Sequence, residues 1–145
     1  MIYADASAIV KRYREETGSP RVREAWLAAE RVFTSWVSYA EVHAALARKQ
    51  RERGLTPAEF RTAAHTFEGE WPAYDQIAVN ATTLAAVRRL VRRHRLRGFD
   101  AIHLAAAVWL QSELQAPMEF WVADERLEVA ARRERLRVVN PERSI

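Results

Sequence analysis

The chain has 145 residues, 49% of them apolar, no cysteine and a formal net charge of +4. That length fits one domain with enough apolar material for a core, and the lack of cysteine excludes disulfides, zinc–thiolate sites and thiol nucleophiles. With 29% charged residues but only four glycines and five prolines, the composition is that of a helix-rich globular protein rather than a disordered one.

Ile2-Tyr3-Ala4 reads as a short buried strand ending at Asp5, and residues 6–15 have helical spacing with Ile9, Val10 and Tyr13 on one side. Thr17-Gly18-Ser19-Pro20 is a break, with Ser19 the expected N-cap and Pro20 the first residue of a helix running to about Glu30. Residues 31–34 form a second strand. A strong helix follows from Ser38 to Arg53, with Val42, Ala45, Leu46 and Lys49 at three-to-four spacing, closed by Gly54. Thr56 and Glu59 spell a capping box for a helix ending at Gly69.

Residues 77–79 read as a short strand, and a helix is expected from Ala81 to His94, stopping at Gly98. Residues 101–110 are hydrophobic nearly all round, which predicts a buried helix. Residues 120–123 form a strand ending in Asp124, followed by a helix over 126–133 and a last strand over 136–139. Strands alternating with helices predict an α/β fold with a central, mostly parallel sheet flanked by helices. No repeat, low-complexity run or linker divides residues 1–145, which read as a single domain. The N-terminal stretch lacks the order of a signal peptide and no apolar run could cross a bilayer, so a soluble, cytoplasmic protein is expected.

Asp5, Glu41, Asp100 and Asp124 each follow a strand or open a helix. A parallel sheet brings such positions to the edge at the carboxyl ends of its strands, where ligand sites form. Each acid has an ordinary explanation as a helix cap, and Ser38 to Glu41 has capping-box spacing. Asp5, Asp100 and Asp124 nevertheless lie among apolar residues, where a carboxylate is costly unless paired or metal-bound. A converging cluster of oxygen ligands points to Mg²⁺ or Mn²⁺.

Tyr3-Ala4-Asp5-Ala6-Ser7-Ala8-Ile9-Val10-Lys11 resembles the opening of PIN-domain proteins. Ser38-Tyr39-Ala40-Glu41-Val42 resembles their second acidic motif, Gly98-Phe99-Asp100-Ala101-Ile102-His103-Leu104-Ala105 their third, and Val122-Ala123-Asp124-Glu125 their fourth. Order and spread match the small VapC-like ribonuclease toxins of type II toxin–antitoxin systems. The resemblance implies a PIN-like domain over 1–145 and an endoribonuclease dependent on Mg²⁺ or Mn²⁺. Asp5, Glu41, Asp100 and Asp124 would then be the catalytic and metal-binding quartet, supported by Ser7. It also implies an RNA substrate, a cognate antitoxin protein and a homodimer. Val122 departs from the pattern, standing where many relatives carry Thr or Ser.

Arginine supplies nearly all the positive charge, with Lys11 and Lys49 the only lysines; it suits bidentate phosphate recognition, although arginine-rich coding explains the bias equally well. The densest run, Arg88 to Arg97, reads chiefly as a solvated helix face. Arg92 and Arg93 within it, and Lys11 and Arg12 after the first motif, are candidates to guide an RNA backbone. His103 reads as a packed residue with a local hydrogen bond, and no histidine enters the catalytic set. The rival from another class is a non-catalytic PIN-like nucleic-acid-binding or scaffold domain. A phosphoacceptor receiver domain ranks lower, because no lysine follows Lys49.

Overall fold

The computed structural model describes residues 1–144. Among them, five strands form one parallel sheet: β1 (Ile2–Ala4), β2 (Val32–Ser35), β3 (Asp75–Ile77), β4 (Glu119–Trp121) and β5 (Arg137–Val139). The order is β3-β2-β1-β4-β5, so the first strand of the chain is central. It pairs Ile2 with Val32 on one side and with Glu119 on the other.

Seven α-helices cover the two faces: α1 (Ala6–Tyr13), α2 (Ser19–Ala28), α3 (Val37–Arg51), α4 (Pro57–Glu70), α5 (Val87–His94), α6 (Gly98–Glu113) and α7 (Glu125–Arg133). Alternation along β1 divides the core. Ile2 and Ala4 pack with Ile9, Val22, Val42, Leu46 and Phe67 from α1 to α4. Tyr3 faces the other way, among Leu90, Leu104 and Leu127 from α5 to α7. Both faces of the central β1 are buried, which is why it reads as a continuous apolar run. No helix among the described residues is long and apolar enough to cross a membrane.

Local chemistry explains where the elements depart from the sequence pattern. Gly18, not Ser19, caps α2: its φ is +88°, and the Ser19 hydroxyl instead donates to the Arg14 carbonyl and accepts from the Glu16 N–H. The helix expected from Ala81 starts only at Val87, because Asn80 and Thr83 turn the chain. The Thr83 hydroxyl donates to the Ala78 carbonyl, and the Thr83 N–H donates to Asn80 Oδ1. Such side-chain bonds compete with helical ones. β3 lies two residues earlier than expected, set by pairing of Phe33 with Asp75 and Ser35 with Ile77. The Thr56–Glu59 capping box forms as expected.

A Cβ added at Gly18 would lie 2.8 Å from the Pro141 carbonyl oxygen, in a backbone conformation that already disfavours side chains. Gly18→Ala is therefore expected to cost about 1–3 kcal/mol, read as a lower midpoint in denaturant unfolding with an unchanged m-value.

Candidate active site

All four sequence-selected acids lie at the carboxyl edge of the sheet, held in different ways. Asp5 follows β1 directly and its N–H donates to the Trp121 carbonyl at 3.2 Å, pinning it to β4. Its side chain is almost fully buried and uses one oxygen, Oδ1, to accept from Ser7 Oγ at 2.7 Å and from the Ala8 N–H at 3.3 Å. Ser7 Oγ also accepts from the Ala123 N–H at 2.8 Å, so one hydroxyl ties Asp5 to the end of β4. Burial raises the Asp5 pKa from 3.8 to about 6; the nearby Glu41 charge adds to this, and His103 together with the hydrogen bonds from Ser7 and Ala8 only partly offsets it.

Glu41 sits one turn into α3. Ser38 is already inside that helix and its hydroxyl meets Thr34 Oγ1 at 2.7 Å, so the capping-box reading of Ser38 and Glu41 does not hold. Glu41 Oε1 instead lies 2.7 Å from Nε2 of His103, whose Nδ1 lies 2.9 Å from the Tyr3 hydroxyl. Tyr3 and His103 are both fully buried. Burial, then the charges of Asp5 and Glu41, push the Tyr3 pKa well above its ordinary value, so the hydroxyl keeps its proton. With Tyr3 O–H donating to Nδ1, the His103 Nε2–H donates to Glu41. The chain runs across the sheet edge from β1 through α6 to α3. His103 is thus a site residue that sequence reasoning set aside as locally bonded. Its three-residue spacing from Asp100, which puts both on one face of α6, was the available signal.

Asp100 lies in the first turn of α6, whose N-cap is Arg97, and it caps nothing. Among the described residues its half-buried carboxylate makes no hydrogen bond or ion pair. Burial raises its pKa, the charges of Asp124 and Glu41 raise it further, and Arg97 opposes them. Asp124 caps α7, its Oδ1 accepting from the Leu127 N–H at 2.9 Å, and is exposed at the rim. Val122, two residues earlier, is fully buried in the core beneath α5 to α7.

The charge of Glu41 raises the proton affinity of Asp5, and those of Asp124 and Glu41 raise that of Asp100, yet among the described residues no three His, Asp or Glu side chains converge as a ready-made metal cage. An all-oxygen, mutually repelling set still fits a hard divalent ion that keeps part of its water shell. Asp5 and Asp124 each spend a single oxygen on capping, which leaves the other for a ligand.

A groove of about 730 Å³ runs from Glu41 and Asp124 between α1 and α3. Lys11 lines it but is buried, its three donors taken by Glu16, Thr17 O and Glu142. Arg12 is clamped to Glu70 by two hydrogen bonds of 2.6 and 3.1 Å. Both side chains are thus committed within the fold. Arg92 and Arg93 line a separate shallow depression on α5 with Ala85, Arg88 and Arg89, and no site acid borders it.

The PIN domain family matches residues 2–131. The chain belongs to the PIN-domain family. Ribonuclease VapC45 and Ribonuclease VapC49, from two strains of Mycobacterium tuberculosis, are each 39% identical to this PIN protein over 108 residues, covering 74% of it and 75% of each relative. FitAcB from Neisseria gonorrhoeae has the same fold, with a TM-score of 0.68 at 19% identity over 97% of this chain and 98% of that one. A toxin–antitoxin complex from Klebsiella pneumoniae includes a chain that superposes with a TM-score of 0.68 at 14% identity, again over 97% and 98%.

The shift at Asp5 carries a sign. A carboxyl whose pKa is higher folded than unfolded holds its proton more tightly in the folded state, so stability falls as pH rises through the interval between the two values. From 3.8 to about 6 this amounts to about 3 kcal/mol. In chelator, Asp5→Asn is expected to match the wild type near pH 4 and to melt at a higher temperature at pH 7, as thermal unfolding across that range would measure.

Proposed function

We propose that this PIN protein is a metal-dependent endoribonuclease, the toxin of a type II toxin–antitoxin system. The observation that carries the reading is Asp100: a half-buried carboxylate beside Glu41 and Asp124 with no partner within the described fold. The charges of Glu41 and Asp124 beside it disfavour its ionised form, and a bound cation would relieve that repulsion. The names of the VapC relatives support RNA as the substrate. The fold neighbour from a Klebsiella pneumoniae toxin–antitoxin complex supports a protein antitoxin.

Asp5, Glu41, Asp100 and Asp124 would hold Mg²⁺ or Mn²⁺ through carboxylate oxygens, directly or through water. Such an ion, when bound, lowers the pKa of water and offsets charge on the scissile phosphate. The chain's own groups position the reaction. Ser7 and the Ala8 N–H fix the Asp5 carboxylate, and Tyr3 through His103 fixes Glu41, so neither acid has to reorient as charge develops. Asp124, at the rim with one oxygen free of its capping bond, orients the attacking water. A homodimer belongs to the same reading, and Leu27, Trp36, Tyr39, Phe99 and Val129 are the exposed large apolar side chains available to it.

Calorimetry with Mg²⁺ and Mn²⁺ on antitoxin-free protein, beside cleavage of a mixed RNA pool, tests the reading. The wild type is expected to bind and cleave. Asp100→Asn is expected to lose ion binding and to cut cleavage by about two orders of magnitude or more, with an unchanged circular dichroism spectrum. A folded wild type that binds neither ion and cleaves no RNA would instead be a non-catalytic nucleic-acid-binding or scaffold domain.

A further inference from the structure

The groove leaving the acidic edge has a second end. On α3, Glu41 is followed at helical spacing by Ala44 and Ala45, then Arg48, then Arg51, and all five line the groove. At 1.5 Å per residue Arg48 stands about 10 Å and Arg51 about 15 Å along the helix from Glu41. Both are exposed, and among the described residues neither is ion-paired. The other charges along the groove are largely neutralised: Lys11 joins Glu16 and Glu142, and Lys49 approaches Glu52 at 3.9 Å. The small side chains of Ala6, Ala44, Ala45 and Ala123 leave room between the walls.

We propose that Arg48 and Arg51 form a phosphate track that holds a single RNA strand in this groove, gripping phosphates beyond the one that lies against the acids. The inference rests on the ribonuclease reading and extends it to the way the substrate is held. Two cations in one row along one helix match one backbone. Arginine engages phosphate bidentately, and the contact carries no base information, so the track sets affinity and direction rather than sequence choice. Acids at one end and unpaired cations at the other also orient the strand, because the arginines attract its phosphates while the acids repel them.

The test is binding of a fluorescent mixed-sequence single-stranded RNA in chelator, where cleavage is suppressed, followed across salt from about 50 to 200 mM. Arg48→Ala with Arg51→Ala is expected to weaken binding about 10-fold or more at the lowest salt. It should also flatten the logarithmic salt slope by about 1.4, the release expected for two single-strand phosphate contacts. Alanine at exposed helical positions preserves helix propensity, and an unchanged unfolding midpoint verifies the fold. The double lysine variant is expected to keep the slope, and Arg61→Ala on the exposed face of α4 is expected to change nothing. Unchanged affinity and slope in the double alanine variant, with the wild type cleaving RNA, overturn the track and leave the ribonuclease reading standing. A wild type that neither binds nor cleaves RNA overturns both. Loss of binding to a glutamate-rich peptide, with RNA binding intact, overturns the track in favour of an acidic protein segment.

Discussion

The structure is organised around a carboxylate placed at the end of a strand buried on both faces. β1 is central in the sheet, and Asp5 is carried on it into a position that is almost fully shielded from water. A charge there raises the energy of the folded state, as its shifted pKa records. The surroundings respond by restraining it: β4 takes its backbone N–H, α1 takes its Oδ1 as a cap, and Ser7 links the two. The fold can bear such a cost because the apolar packing of both faces is independent of it.

The four acids grade from most to least restrained, and the gradation separates structural from chemical roles. Asp5 and Asp124 cap helices, so the ordinary explanation holds for both, and each keeps one oxygen free of its capping bond. Glu41 serves no cap and is held by a buried imidazole that reaches through to the hydroxyl of the central strand. Asp100 makes no side-chain hydrogen bond or ion pair among the described residues, and within the fold it only complements the dipole at the start of α6.

Net charge misdirects attention in this protein. Many basic side chains are held by intramolecular acids: Arg12 by Glu70, Arg31 by Asp75, Arg89 and Arg93 by Glu134, and Arg132 by Glu128. The long basic run on α5 is partly spent this way, and it borders no site acid. Arg48 and Arg51 look unremarkable as isolated letters in a mixed helix, yet they share a groove with Glu41 and Asp124. Placement relative to the acids, rather than density along the chain, decides which arginines can meet a substrate.

The sequence by itself determined what depends on near neighbours. The alternation of strands and helices, the Thr56–Glu59 capping box and the placing of Asp5 and Asp124 at strand-to-helix junctions all follow from periodicity and from hydrogen bonds spanning three or four residues. Where local chemistry competed with periodicity, as at Asn80 and Thr83, the pattern ran ahead of the structure. The tertiary fold alone decided that Lys11 is locked, since one of its partners, Glu142, lies 131 residues away. It also decided that β3 starts at Asp75, because Phe33 pairs there. Likewise His103 joins the site through Tyr3, 100 residues distant, and Glu41, 62 residues distant. A side chain's period shows which face of its element it occupies, but its partner is set by how the sheet orders the elements, which is a property of the whole chain.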